Sequence, residues 1–158
     1  MANTVYNSLG VAQKQPATTE GLYRNTIHLH DTVSLPNTFA TTDTAIFGYI
    51  PPGAVVTGIV LKAQTQLDSN GAPTLTFNVG IPGTPQLFKA AVTTVGRVAG
   101  ASVDASTSLA AAGYLYKNTT SGNLTIQATC QAAAATPVAG VLEMAVFYHV
   151  EEVVGSAA

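Results

Sequence analysis

Hydrophobic and polar residues alternate along most of the chain with a period of two, and helical periodicity is nearly absent. Successive side chains of a β-strand point to opposite faces, so this alternation predicts half-buried strands. In the segment 26–33, for example, Ile27, Leu29 and Val33 fall on one side. The same pattern predicts further strands at 45–50, 55–66, 74–79, 113–117, 123–130 and 138–150.

Turn-forming residues separate the predicted strands. Prolines and glycines at 51–53 and 81–85, and the sequence DSNG at 68–71, each interrupt an alternating run. Proline removes a backbone donor and glycine permits turn conformations, so both end a strand ladder. Roughly seven to nine short strands with a turn about every 8 to 12 residues are typical of a β-sandwich or barrel. We therefore predict an all-β fold.

Three segments depart from simple alternation. Residues 85–92 also fit one or two helical turns, and residues 96–108 are predicted to form a loop or a weakly paired strand. The segment 138–150 is apolar on both faces, since one row contains Leu142, Met144, Val146 and Tyr148 and the other contains Val141, Ala145 and Phe147. A strand that is apolar on both faces is expected in the middle of a packed sheet or in an interface.

The first 22 residues differ from the rest, because Asn, Gln, Thr and Gly dominate and apolar residues are isolated. We predict an extended N-terminal arm at 1–22 and a single sandwich domain at 23–158. An arm without a core of its own needs a partner surface to hold it in place. Its expected anchors on that surface are Tyr6, Leu9, Val11, Leu22 and Tyr23.

Charged residues are scarce. They make up 9% of the chain, while hydrophobic residues make up 47%; a typical soluble domain carries about 25% charged residues. This composition argues against a disordered chain and against a coiled coil. It is better explained by an assembly subunit whose faces are covered by copies or partners.

Composition also limits the classes of partner that we expect. The six cationic residues are scattered along the chain, whereas phosphate neutralisation needs clustered cations, so we expect no nucleic-acid partner. No stretch approaches the roughly 18 apolar residues of a membrane span, and we expect no membrane partner. The start of the chain has no signal-peptide pattern. Together with a single cysteine, this predicts synthesis in a reducing cytoplasm.

Candidate chemistry is sparse. His28 and His30 share one face of their predicted strand and could hold a metal ion if His149 or Asp43 supplied a third ligand. Two solvent-exposed histidines explain the pattern better. Cys130 is expected to be a small core residue. The chain contains no nucleophile elbow, phosphate-binding loop or dinucleotide fingerprint. We therefore expect no catalytic residue, no metal and no cofactor, and a protein that is not an enzyme.

Tyrosines are the remaining candidates for recognition. Tyr114 and Tyr116 share a face of their predicted strand, and we expect both of them and Tyr148 to be exposed. Exposed tyrosine rings could stack on sugars or lie at a subunit interface. The absence of tryptophan weighs slightly against the sugar interpretation, but both alternatives stay open.

Two of the predicted strands carry a resemblance to a known group of proteins. The sequences IPPGAVVTGIVL at 50–61 and TLTFNVG at 74–80 resemble the auxiliary head proteins of tailed phages, which are called decoration or cement proteins. The similarity continues through QLFKAA at 86–91, an Ala/Thr/Gly-rich middle, LTIQA at 124–128 and a final apolar strand that ends at Val150. It covers roughly residues 40–150.

The resemblance implies a jelly-roll-like antiparallel β-sandwich that sits on the outer surface of a phage capsid. Such proteins are often homotrimers and clamp neighbouring subunits of the major capsid protein. The chain is then expected to be a structural virion protein, made in the host bacterial cytoplasm, whose arm contacts the capsid or an adjacent subunit. The alternatives are a carbohydrate-binding or receptor-binding fibre or tail module, a tail-tube or tail-terminator subunit, and a metal-assisted hydrolase.

Overall fold

The computed structural model describes residues 5–7, 26–104 and 113–150. Within these ranges the chain forms nine β-strands and no helix. The strands are β1 (Val5–Asn7), β2 (Ile27–Leu35), β3 (Thr44–Ile50), β4 (Ala54–Ala63), β5 (Thr76–Ile81), β6 (Thr84–Val92), β7 (Ser102–Asp104), β8 (Leu124–Ala132) and β9 (Gly140–Val150).

The strands form two sheets that enclose one apolar core. The five-stranded sheet has the order β1-β3-β8-β5-β6, and the four-stranded sheet has the order β2-β9-β4-β7. Neighbouring strands are antiparallel except β1, which pairs in parallel with β3. The predicted all-β, jelly-roll-like sandwich is confirmed. The core between the sheets includes Phe47, Phe77, Ile59, Leu61 and Met144.

The last strand lies inside its sheet, as its apolar pattern predicts. β9 is hydrogen-bonded to β2 on one side and to β4 on the other. Its inward row consists of Leu142, Met144, Val146 and Tyr148, each with 0% exposure. The expectation that Tyr148 is exposed is therefore wrong, because the same alternation that predicts the strand places this ring in the core.

Two bulges explain why the alternation in β3 and β4 is imperfect. In β4 the register shifts between Val56 and Gly58, so Val56 and Ile59 both point into the core although three positions separate them. In β3 the register shifts around Gly48, whose φ is +54° and where a Cβ atom would lie 2.8 Å from Leu29 Cδ2. A glycine is therefore required at this bulge.

Two sequence-based expectations are corrected in the middle of the chain. Residues 85–92 belong to strand β6 rather than to a helix, because the turn at Pro82-Gly83 folds them back against β5. Their apolar spacing arises from bulges on both sides of Val79 and from Ala91, which has a φ of +50°. Residues 113–117 form a turn and an isolated bridge, not a strand. The segment 96–104 forms turns and the short β7, as expected.

Only a small part of the predicted arm lies within the described residues. Val5–Asn7 extend the five-stranded sheet beside Thr44–Ile46 of β3. Leu9, Val11, Leu22 and Tyr23 lie outside the described residues, and the side chain of Tyr6 does too. The arm at 1–22 and its anchors stay predictions.

The sandwich has two ends that differ in construction. The staple end consists of the loops 64–75, 93–101 and 133–139, which follow β4 and β6 and join β8 to β9. The knob end consists of the turns 51–53 and 82–83 and the segment 113–123. Each end presents two exposed large apolar side chains, which are Val98 and Val138 at the staple end and Tyr114 and Leu115 at the knob end.

Candidate interaction surface

The turn at the knob end rests on a fixed base. The backbone N–H of Tyr116 donates to the carbonyl of Gly113 over 3.3 Å, and the N–H of Val56 donates to the carbonyl of Tyr116 over 2.9 Å. The Tyr116 ring packs edge-on against buried Phe88, with ring centroids 5.9 Å apart and an interplanar angle of 89°. The turn is thereby attached to both sheets, since Val56 lies in β4 and Phe88 in β6.

A buried asparagine fixes the other side of this base. Asn118 is 1% exposed, and its Nδ2 donates to the carbonyls of Ile50 and Gly122 over 3.2 and 3.0 Å. Its Oδ1 accepts from the N–H and hydroxyl of Thr120 over 3.1 and 2.7 Å. The backbone N–H of Asn118 donates to the carbonyl of Ala54 over 2.8 Å. The segment is therefore held to β3 and β4 by hydrogen bonds, and Asn118 also closes the turn within it.

Tyr114 and Leu115 project from this base, and we call these two side chains the knob. They are 41% and 46% exposed. Leu115 has a φ of +47°, a left-handed conformation that favours glycine or asparagine and disfavours a bulky residue. Here the chain places a large apolar side chain in solvent on a backbone that strains it. Such strain at an exposed position is characteristic of functional sites.

A shallow groove lies beside the knob. Its walls are formed by Val56, Thr57, Gly58 and Ile59 of β4 and by Phe88 of β6, and Gly113 and the knob close one side. None of these eight side chains is charged. The bulge between Val56 and Gly58 opens the groove because it displaces Thr57 outwards, where the Thr57 hydroxyl donates to the carbonyl of Phe147 over 3.1 Å.

The staple end is organised around one buried carboxylate. Asp68 is 0% exposed. Its Oδ2 accepts from the backbone N–H groups of Thr74, Leu75 and Ala135 over 2.8, 3.1 and 3.0 Å. Its Oδ1 accepts from the N–H of Thr136 over 3.0 Å and from that of Asn70 over 3.3 Å. One side chain thus joins the loop 64–75 to the loop 133–139.

Electrostatics and further polar side chains strengthen this arrangement. Burial acts to raise the pKa of the Asp68 carboxyl, but the backbone donors outweigh it and lower the pKa to about 2. Arg97 donates through Nε to the carbonyl of Leu75 over 2.6 Å and through Nη2 to that of Thr74 over 3.0 Å. Gln66 donates to the carbonyls of Asp68 and Arg97. All three loops of the staple end are therefore connected to one another.

Histidines lie on the outer face of the four-stranded sheet. The His28 ring stacks on Phe147 at 4.8 Å, and its centroid is 6.0 Å from that of His30. His30 Nε2 is 2.8 Å from Glu143 Oε1, and Lys62 Nζ is 3.7 Å from Glu143 Oε2. The hydrogen bond from His30, with a second from Gln64, lowers the pKa of Glu143. His28 and His30 share a face, as predicted.

Neither metal binding nor a reactive thiol is supported by the described residues. Among the described residues, no group of three His, Cys, Asp or Glu side chains could hold a metal ion, so neither His149 nor Asp43 completes a site with the paired histidines. Cys130 is 2% exposed, and burial, assisted by the charge of Asp43, raises the pKa of its thiol to about 12. The predicted core role of Cys130 is confirmed. The described part of the chain contains no helix that could span a membrane.

The three tyrosines predicted to be exposed lie in three different environments. Tyr114 is exposed, Tyr116 is half-buried against Phe88, and Tyr148 is buried. The residue that sequence reasoning missed is Leu115, because alternation in a predicted strand assigns it to the inner face. Gly113 before it and Asn118 after it are the only local signs of a turn. The long-range contacts of Asp68 were also missed, since its DSNG sequence predicts a plain turn.

The fold defined by these sheets is found in chains of phage capsids. A chain from the capsid of Ralstonia phage GP4 matches with a TM-score of 0.78 and 22% sequence identity, over 94% of this chain and 99% of that one. A chain from the capsid asymmetric unit of cyanophage Pam1 matches with a TM-score of 0.67 and 27% identity, over 88% of this chain and 96% of that one. The structural neighbours are thus capsid chains of nearly the same length.

Comparison by sequence adds nothing to this. No protein-family model matches the chain, and no curated protein matches it.

Proposed function

We propose that this chain is a structural virion protein that decorates and stabilises a bacteriophage capsid. It binds subunits of the major capsid protein on the outer surface of the head, and it does so as a homotrimer. The observation that carries the proposal is the shared fold, which extends over 94% of this chain and 99% of a chain from a phage capsid.

The composition of the five-stranded sheet supports a role in an assembly. The five strands of the larger sheet carry Lys89 as their single charged residue. Uncharged polar side chains such as Gln127, Thr125 and Thr129 occupy alternate positions along its strand β8. Burying such a face against another protein requires no desolvation of ions. A lone soluble domain ordinarily carries a more charged surface.

The capsid chains that share this fold support a structural role. The one thiol is buried with a raised pKa, and the described histidines and carboxylates form no metal-binding group. Of the three tyrosines predicted to be exposed, only Tyr114 is; Tyr116 is half-buried and Tyr148 is buried. The alternative of a carbohydrate-binding or receptor-binding tail module therefore rests on Tyr114 alone.

Binding to heads tests the proposal directly. Purified protein is added to phage heads that lack it, and the heads are examined by sedimentation and by electron microscopy with a labelled chain. We expect saturable binding at regular positions on the outer surface of the shell. Label on tails, or no binding to heads at saturating concentration, would contradict the proposal.

A truncation tests the contribution of the arm. A chain without residues 1–22 also loses β1, the short edge strand that pairs with β3, so we expect a small loss of stability in a sandwich that remains folded. We expect it to bind heads more weakly, because the arm adds extended contacts to a neighbouring subunit. Circular dichroism and thermal unfolding serve as the control for folding. Head binding equal to that of the full chain would remove the arm from the proposal and leave the rest in place.

A further inference from the structure

The loop 64–75 contains an Asn-Gly pair, Asn70 and Gly71, and Asn70 is the one asparagine of the chain that is followed by glycine. Asparagine is among the thermolabile residue types. When glycine follows it, no Cβ atom hinders the approach of the next backbone nitrogen to the asparagine side chain. Asn70 is partly exposed and Gly71 is exposed, so water reaches both residues.

The structure does not require a glycine at position 71. Its backbone is outside the left-handed region, and a Cβ atom there would meet no other part of the chain within 4 Å. Gly96 and Gly140 at the same end differ, because a Cβ atom would collide with Leu75 at the first and with Thr65 at the second. Gly71 therefore leaves the side chain of Asn70 open to attack without being needed for packing or for a turn conformation.

Two polar contacts hold the Asn70 side chain in place. Its Oδ1 accepts from the backbone N–H of Ala72 over 2.9 Å, and its Nδ2 donates to Thr136 Oγ1 over 3.2 Å. The Ala72 N–H stabilises negative charge that develops on Oδ1 when the side-chain carbon is attacked. The Thr136 hydroxyl lies where it can pass a proton to the departing nitrogen. The folded loop thus supplies two groups that favour loss of the side-chain amide.

We propose that Asn70 is a site of spontaneous deamidation in the folded chain, and that the product weakens the connection between the loops 64–75 and 133–139. Base in the solvent removes the proton of the Gly71 nitrogen, which attacks Cγ of Asn70. The bond between these two atoms forms, the bond from Cγ to Nδ2 breaks, and ammonia leaves a succinimide. Water then opens the ring at either carbonyl and gives aspartate or isoaspartate at position 70. The inference does not rest on the capsid role proposed above.

Deamidation places a second negative charge beside Asp68. The N–H of Asn70 and the N–H of Thr136 both donate to Asp68 Oδ1, over 3.3 and 3.0 Å, and the Asn70 side chain also contacts Thr136. Two carboxylates would therefore contact the same residue, and repulsion between like charges opposes their ionisation. In isoaspartate the main chain is also longer by one methylene, which shifts the donors of Thr74 and Leu75 relative to Asp68.

Peptide mapping by mass spectrometry measures the reaction in the purified full chain, and enzymatic methylation detects isoaspartate. The folded chain is incubated at neutral and at mildly alkaline pH, and a parallel sample is incubated in urea. Gly71→Ala is the test variant, because its Cβ atom has open space and the fold should be kept. Gly122→Ala is the matched control, since a Cβ atom there also meets nothing within 4 Å and the Asn-Gly pair stays intact. Circular dichroism checks that both variants are folded.

We expect Asn70 to convert faster than any other asparagine in the folded wild type and in Gly122→Ala, and faster at the higher pH. Gly71→Ala should convert at least about tenfold more slowly, because its side chain hinders the attacking nitrogen. Three results would overturn the inference. They are equal rates in the wild type and Gly71→Ala, conversion at Asn70 no faster than at Asn123, and conversion at Asn70 only in urea, which would mean that the native contacts protect it.

The consequence for the loops is measured by urea unfolding of Asn70→Asp, which imitates one product. Asn123→Asp is its control, because it adds the same charge at an exposed position of the knob end. We expect Asn70→Asp to raise the equilibrium constant of unfolding about tenfold at neutral pH, and Asn123→Asp to leave it nearly unchanged. Equal effects of the two variants would refute the weakening of the loop connection. Head binding is not used as a readout, so this inference and the proposed function can fail separately.

Discussion

The two ends of the sandwich differ in the side chains that hold their loops together: charged ones at the staple end and an uncharged one at the knob end. At the staple end, Asp68 is buried and accepts five backbone hydrogen bonds, and Arg97 donates to two carbonyls of the same loops. At the knob end, Asn118 and backbone hydrogen bonds hold the turn. The large apolar side chains of Tyr114 and Leu115 are exposed there beside polar residues and one charged residue, Lys117. The difference indicates that charged side chains connect the loops at the staple end, whereas uncharged groups hold the turn at the knob end.

The two ends also differ in what their local conformation favours. The left-handed positions of the loop 93–101 are Gly96 and Gly100, which adopt that conformation without strain. At the knob end a left-handed position carries Leu115 instead. The backbone is therefore unstrained at Gly96 and Gly100 and strained at Leu115. We expect substitutions at Gly96 and at Leu115 to change the free energy of unfolding in opposite directions.

The largest effect is expected for Asp68→Ala. Removing the carboxylate leaves several buried N–H groups without an acceptor, and we expect a loss of about 4 kcal/mol in the free energy of unfolding. Urea unfolding measures it. Asp31→Ala is the control, because Asp31 accepts a described hydrogen bond only from its neighbour Thr32 and should lose less than about 1 kcal/mol. Equal losses would show that the Asp68 contacts do not hold the loops.

Lowering the pH should weaken the contribution of the Asp68 carboxylate to stability in the wild-type protein. The pKa of Asp68 is lowered from 3.8 to about 2 by folding, so the folded state binds this proton less readily than the unfolded state. The resulting stabilisation, about 2 kcal/mol, is fully present above pH 4 and is lost as the pH falls from about 4 through 2. We expect the difference in stability between the wild type and Asp68→Asn to shrink over that range. A difference independent of pH would contradict the assignment.

A stabilising substitution is expected in the core near the knob end. Tyr148 is fully buried, and its hydroxyl has no hydrogen-bond partner among the described residues; burial also raises its pKa. Removing an unpaired buried hydroxyl relieves its desolvation penalty, so Tyr148→Phe should raise the free energy of unfolding by about 1 kcal/mol. Tyr49→Phe on the partly exposed outer face should be neutral. A destabilised Tyr148→Phe chain would mean that the hydroxyl has a partner.

The smallest effect is expected at the knob itself. Leu115→Gly should raise the free energy of unfolding of the dissociated chain by about 0.5 to 1 kcal/mol, because glycine adopts a positive φ without strain. Thermal unfolding at the lowest usable concentration measures it. Gly96→Ala is the counterpart at the staple end and should be destabilising, since its Cβ would lie 2.7 Å from Leu75 Cδ2. If Leu115→Gly and Gly96→Ala both lower the free energy of unfolding, the two positions do not differ in backbone strain.

Local alternation was sufficient to predict most of the fold. It identifies β2, β3, β4, β5, β8 and β9, because each has an inward apolar row whose burial decides its register. It fails for β6, where bulges around Val79 shift the apolar residues into a spacing that also fits a helix. It fails again at 113–117, where the hydrogen bond from Val56 to Tyr116 and the adjacent bond from Asn118 to Ala54 stabilise a turn that the local sequence does not specify.

The candidate surface could be predicted less well than the fold. The sequence pairs Tyr114 with Tyr116, because alternation in a predicted strand puts both on one face, whereas in the turn that the structure shows the exposed neighbour of Tyr114 is Leu115. The sequence contains no sign that Leu115 adopts a positive φ, because that conformation depends on contacts with β4 and β6. The role of Asp68 was hidden for the same reason, since two of its donors lie 67 and 68 residues away.

The irregular course of β6 has a consequence for assembly. β6 forms one edge of the five-stranded sheet, and a long regular edge there would offer a template on which further strands could add without limit. Bulges on both sides of Val79 and the left-handed Ala91 break the row of backbone donors and acceptors. This edge is therefore a poor template for a strand from another copy, which disfavours the growth of fibres along it.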